Sequence, residues 1–263
     1  MMGAGGGPSG PEYELYTFGR NNSGQLGLGN TANRSSPVQV GALTTWSSVA
    51  AGYTHTAAIK TDGTLWTFGG NNFGQLGLGD TTSRSSPVQV GALTTWLSVA
   101  AGIYHTAAIR TNGTLWTFGN NGSGQLGQGN TTYRSSPVQV GALTTWLSVA
   151  AGFYHTAAIK TDGTLWTFGR NDIYGQLGLG DTTNRSSPVQ VGALTTWSIV
   201  GAGYLHTAAL KTDGTLWTFG NNGNGQLGLG NTANRSSPVQ VGALTTWLSV
   251  AAGGYHTAAI TEE

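Results

Sequence analysis

Five tryptophans fall at Trp46, Trp96, Trp146, Trp197 and Trp247, spaced 50, 50, 51 and 50 residues apart. No other feature limits the fold as much. A chain that repeats at this period builds a solenoid, a propeller or an array, because one unit alone cannot bury its apolar face. The other four tryptophans, Trp66, Trp116, Trp166 and Trp217, mark a second repeat position, with Tyr16 as its fifth member. The one extra residue lies near Ile173 and Tyr174, just before Gly175.

Within a unit, alternating apolar residues and turn signals predict four short strands. In the unit that starts near Ser98 they cover Ser98–Gly102, His105–Arg110, Thr114–Phe118 and Pro137–Val140. Asn112-Gly113 predicts a type I′ turn between the second and third, and Asp-Gly replaces it at 62–63, 162–163 and 213–214. Four antiparallel strands per unit predict a propeller blade. The first strand is small and apolar and suits the crowded axis. The fourth opens on proline and suits an outer edge. The chain begins with a third and a fourth strand (Glu14–Phe18, Pro37–Val40) and ends with a first and a second (Ser249–Gly253, His256–Thr261). These halves add up to one blade. The fold expected is therefore all-β: a five-bladed β-propeller of four-stranded antiparallel blades, closed by a clasp of N- and C-terminal strands. It forms one domain over residues 13–263. Residues 1–12, MMGAGGGPSGPE, read as a flexible leader.

Composition removes several function classes. Eleven Lys and Arg against ten Asp and Glu leave a net charge of +1. No basic excess drives nucleic-acid binding, and none is expected. With no cysteine, neither a disulfide nor a thiolate metal site is possible. No apolar run approaches the roughly 18 residues of a membrane span.

The unit resembles the RCC1 (regulator of chromosome condensation) repeat. The residues that carry the likeness run Gly52–Gly69 (G-x-x-H-T-A-A-I-K-T-D-G-T-L-W-T-F-G), Gly74–Gly79 (G-Q-L-G-L-G) and Ser85–Val90 (S-S-P-V-Q-V). The match extends over nearly the whole chain from about Tyr13. The resemblance implies a β-propeller. Well-known members usually carry seven blades, whereas this chain supplies five, which leaves a true five-bladed ring, an incomplete ring or closure through an oligomer. Summing the terminal strands favours the first, as a monomer. Family members include nucleotide exchange factors for small GTPases, ubiquitin-ligase modules and a secreted β-lactamase inhibitor, so the fold does not fix the function.

Repeat positions that change little or not at all read as structural. The G-Q-L-G-L-G stretch lacks the residue order, the lysine and the following helix of a phosphate loop. It reads as a loop whose Gln bonds backbone and whose Leu fills the seam between blades. His55, His105, His155, His206 and His256 have no carboxylate or second histidine at ligand spacing. They read as structural groups bracing the neighbouring strand; no metal and no cofactor is expected. Arg34, Arg84, Arg134, Arg185 and Arg235 precede Ser-Ser-Pro in every unit. Each reads as a tie for loop carbonyls, with a ring of cations for an anionic ligand as the alternative.

Positions that do change point to function. They are Arg20, Ser23, Phe73, Tyr133, Arg170 and Tyr174 after the third strand. Tyr53, Ile103, Tyr104, Phe153, Tyr154 and Tyr204 lie between the first and second. In an up-and-down blade both loops emerge on one face. Aromatic area with small polar neighbours suits binding. The function expected is a non-enzymatic scaffold that recognises a protein or a surface glycan through this face. The alternatives are a recently amplified or engineered symmetric propeller with no dedicated ligand, and an exchange-factor-like regulator.

Overall fold

The computed structural model describes residues 13–42 and 45–263; the expected leader lies outside the described residues. All regular structure among them is β. Two strands, β1 (Tyr16–Gly19) and β2 (Arg34–Gln39), pair first. Four sheets of four strands follow in chain order: β3 (Trp46–Ala51), β4 (His55–Lys60), β5 (Leu65–Gly69) and β6 (Arg84–Gln89); β7 (Trp96–Ala101), β8 (His105–Arg110), β9 (Leu115–Gly119) and β10 (Arg134–Gln139); β11 (Trp146–Ala151), β12 (His155–Lys160), β13 (Leu165–Gly169) and β14 (Arg185–Gln190); β15 (Trp197–Ala202), β16 (His206–Lys211), β17 (Leu216–Gly220) and β18 (Arg235–Gln240). A final pair, β19 (Trp247–Ala252) and β20 (Thr257–Thr261), ends the chain. The all-β, five-repeat propeller architecture is the one the repeat predicts.

Local chemistry explains two departures. Only Gly113 has positive φ in the Asn112-Gly113 turn. Its N–H bonds the Arg110 carbonyl at 2.8 Å, and the Arg110 N–H bonds the Thr114 carbonyl at 3.0 Å. This is a type I turn followed by a glycine bulge, not type I′. Asn112 Oδ1 accepts the Thr114 N–H at 3.2 Å and the Thr114 hydroxyl at 2.7 Å, which keeps Asn112 out of the left-handed region. The outer strand also begins earlier than Pro137: Arg134 pairs with Gly119 across a bulge.

The core lies between blades. Ala57, Ile59 and Leu65 of one blade pack with Trp96, Ala108 and Phe118 of the next. Gly77, at φ +71°, lies flat on the Phe118 ring; an added Cβ would stand 2.8 Å from it. At the axis Gly52 packs on the Gly102 carbonyl, and the contact recurs from Gly102 to Gly152, Gly152 to Gly203 and Gly203 to Gly253.

The series of contacts stops there. The inner strands touch in the order β3, β7, β11, β15, β19, while β1–β2 and β19–β20 stay in separate sheets. Phe18 is 63% exposed and Ile260 64%, against 0% for Phe68 and 2% for Ile59 at the same repeat positions. Among the described residues no ladder joins β20 to β1; the pairs β1–β2 and β19–β20 supply between them the four strands of the fifth blade, as the expected clasp requires.

Candidate functional site

Each loop after a third strand is held by one buried asparagine. Asn121 donates both Nδ2 protons, to the Asn130 and Thr132 carbonyls at 2.9 and 3.0 Å, and its Oδ1 accepts the Leu126 N–H at 2.9 Å. Asn21, Asn71, Asn171 and Asn222 occupy the same place and are likewise fully buried. Gln125 Oε1 accepts the Ser123 N–H and Gln25 Oε1 that of Ser23, both at 2.9 Å. The loop tips are therefore presented on a fixed frame, which is what lets their side chains vary.

These tips meet the loops between the first and second strands on one face. The Phe73 ring lies 4.9 Å from Tyr104 and 5.6 Å from Tyr133. A second group joins Tyr154, Phe153, Tyr204 and Tyr255: Phe153 lies 4.2 Å from Tyr154 and 3.7 Å from Tyr204, and Tyr204 stacks on Tyr255 at 5.1 Å. Arg170 covers Tyr154 at 5.7 Å and Arg20 covers Tyr53 at 5.9 Å. Tyr53, Ile103, Phe153 and Tyr204 also rim an axial cavity of about 270 Å³ walled by the Ala-Gly pairs of the inner strands. Ile103 differs from its neighbours in being buried, so it shapes the cavity rather than the open surface. Ser23 and Tyr174 lie in the loops without joining either aromatic group. Next to Tyr174, Ile173 takes φ 70° and is 68% exposed. A β-branched residue in that region is strained. The extra residue thus makes one loop unlike the others, and Arg170 forms an ion pair with Asp172 beside it.

The histidines lie beneath this face. His55 Nε2 meets Thr106 Oγ1 of the next blade at 2.9 Å. Thr106 Oγ1 donates to the Gln75 carbonyl at 2.8 Å, so it receives the imidazole N–H and fixes the tautomer. His105, His155 and His206 repeat the bond with Thr156, Thr207 and Thr257, each at 3.0 Å. Burial holds all four rings neutral, lowering their pKa values to about 4 for His55 and His206 and about 3 for His105 and His155. His256, in the last half-blade, is exposed.

The arginines do two different things. Arg84 pairs with Asp80 at 2.7 Å and Arg185 with Asp181 at 2.5 Å, and each also donates to a loop carbonyl, of Thr82 and Thr183. At Arg34 and Arg235 the acidic position holds Asn30 and Asn231, and the guanidinium reaches the amide oxygen only at 3.4 Å. Arg134 follows Asn130 by four residues in the same sequence context.

Models of the Regulator of chromosome condensation (RCC1) repeat match residues 14–59, 62–109, 112–159, 162–210 and 213–260, and a second model of that repeat matches 46–75, 96–125, 146–176 and 197–226. The chain belongs to the RCC1 repeat family. Its set of RCC1 units superposes on human WBSCR16 with a TM-score of 0.85 at 24% identity, over 96% of this chain and 68% of that one. On Prp20p from Saccharomyces cerevisiae the TM-score is 0.82 at 20% identity, over 95% and 65%. Yeast RCC1 (Prp20) bound by Kap60 gives 0.60 at 18%, over 96% and 77%. The chain thus spans about two thirds of the length of the first two, and these likenesses establish the fold.

One feature of the RCC1 unit escapes a linear reading. Lys60 Nζ lies 3.6 Å from the centre of Trp66 and 5.2 Å from Trp46; Lys160 and Lys211 repeat the arrangement with Trp166 and Trp146, and with Trp217 and Trp197. Both tryptophan series are visible in the sequence, but only the blade register brings them together around an ammonium. Tyr255 is the other omission: it reads as one more tip residue until its stack on Tyr204 joins it to the second aromatic group.

Proposed function

We propose that this protein is a non-enzymatic binding scaffold that takes a protein or a surface glycan on the aromatic loop face. The observation that carries the reading is the pairing of an invariant frame with varied tips. Asn21, Asn71, Asn121 and Asn222 each bridge two carbonyls of their loop, and Asn171 holds the Asp181 carbonyl in the loop with the extra residue, while rings gather in two groups above them. Preformed aromatic contact area loses little conformational freedom on binding. The four buried histidines donate from Nε2 between blades and keep Nδ1 buried, so their basic nitrogens do not reach the face. Prp20p, similar in fold, is described by its binding to Gsp1p and histones, which supports a macromolecular partner for a face of this kind.

The test is a comparison of the wild-type chain with the Phe73→Ala/Tyr133→Ala/Phe153→Ala/Tyr174→Ala variant against an arrayed glycan panel and an immobilised-chain protein capture. Loss of the captured species in a variant with an unchanged far-ultraviolet circular dichroism spectrum and unfolding midpoint is expected. Equal capture by both proteins overturns the assignment of the face.

A further inference from the structure

A second site lies away from the loop face, on the outer side between the first half-blade and the next blade. The cleft there is about 480 Å³, lined by Asn30, Arg34, Val40, Trp46, Lys60 and Trp66, among others. Lys60 is 7% exposed, and its ammonium stands over Trp66 with no hydrogen-bond acceptor among the described residues. Among the described residues Arg34 is held by the Asn33 carbonyl at 3.2 Å and Asn30 Oδ1 at 3.4 Å alone. Two cations thus line one apolar cleft, and no carboxylate lines it with them.

The rest of the chain shows what this cleft lacks. Beside Arg185, in the corresponding cleft of Trp197 and Trp217, the residue four positions earlier is Asp181, and it neutralises the guanidinium at 2.5 Å. Asn30 takes that place here and supplies a neutral amide. We infer that the Arg34–Lys60 cleft binds a carboxylate carried on an apolar stem, as an acidic segment of a partner polypeptide offers. The carboxylate completes the pairing that Asp181 supplies internally elsewhere. Arg34 presents a planar fork that matches it, Lys60 adds a second charge, and Trp46, Trp66 and Val40 receive the stem. The site shares the loop after β1 with that face, through Asn30 and Arg34, but none of the aromatic tip residues lines it.

The probe is an acetylated, amidated peptide of alternating Glu and Leu, with a Gln–Leu twin as the uncharged control, titrated by calorimetry at low salt. Binding of the Glu peptide and not its twin is expected, weakening as salt rises. Asn30→Asp installs a side chain the fold already accommodates at the equivalent Asp181, and it should weaken binding about fivefold by occupying Arg34. Lys60→Gln should do the same. Asp181→Asn frees Arg185 beside Lys211 and should add one further binding event to those at Arg34 and at the equivalent Arg134–Lys160 cleft, where Asn130 likewise replaces the acid. The proposal is overturned if the two peptides bind alike, or if the Glu peptide binds with the same affinity to wild type, Asn30→Asp and Lys60→Gln. Loss of folding in Lys60→Gln leaves the decision with Asn30→Asp and the gain in Asp181→Asn.

Discussion

Thr106 shows how much one side chain carries in this molecule. It accepts from His55 and donates to Gln75, both in the preceding blade. Thr106→Val keeps the shape and strands a buried N–H, so it should cost about 1–3 kcal/mol in urea unfolding, with Thr61→Val, on an exposed turn, as the neutral control. The histidines also make stability depend on pH. Their folded pKa values, about 3 to about 4, lie below the roughly 6.5 of an unfolded imidazole. Below pH 6.5 the unfolded chain takes up protons that the folded chain refuses. The contribution of these groups is therefore complete above about pH 6.5 and is lost as pH falls toward 4 and then 3, at up to about 1.4 kcal/mol per pH unit for each ring. Urea midpoints should hold level from pH 7.5 to about 6.5 and fall from there to pH 4, and a flat profile over the whole range would show that the rings are not buried neutral.

At the level of strands and loops, glycine decides how closely blades approach. Gly77 and Gly91 both have positive φ, but only Gly77 has a neighbour where a Cβ would go. Gly77→Ala adds a clash with Phe118 to the backbone strain and should destabilise by about 2–4 kcal/mol. Gly91→Ala carries the strain alone and should cost about 1 kcal/mol. Similar losses in the two variants would mean that the loop and ring separate at little cost. These contacts also mark the limit of what can be read from a linear chain. The strands were legible because apolar alternation recurs in every unit and Asx-Gly punctuation in four, and the second strand, His105–Arg110, matches to the residue. The type of turn was not legible, because it rests on Asn112 accepting twice from Thr114, a choice between two local hydrogen-bonding schemes open to the same dipeptide. The varied tips were visible as differences between repeats, and their gathering on one face followed from strand alternation. That Arg34 and Lys60 share a cleft was hidden, since the two belong to neighbouring units and only packing makes them neighbours.

At the scale of the whole molecule, the two terminal pairs, β1–β2 and β19–β20, are complementary halves of one blade. In the complete blades His55, Ala57 and Ile59 sit opposite Gly69, Thr67 and Leu65. The same register would set Ile260 against Leu15. In dilute solution the amides of β1 and β20 should exchange with deuterium far faster than those of β5 and β4, which occupy the same positions inside a blade. Equal protection would mean that the ends meet in solution. Four of the five units follow a common loop length, and one does not. The residue inserted at Ile173 singles out one blade in a chain whose other blades are near copies, so it gives the molecule an orientation: a partner that straddles two tips meets a different pair at each step from blade to blade. A label on that loop would report a single, known place among five otherwise interchangeable ones.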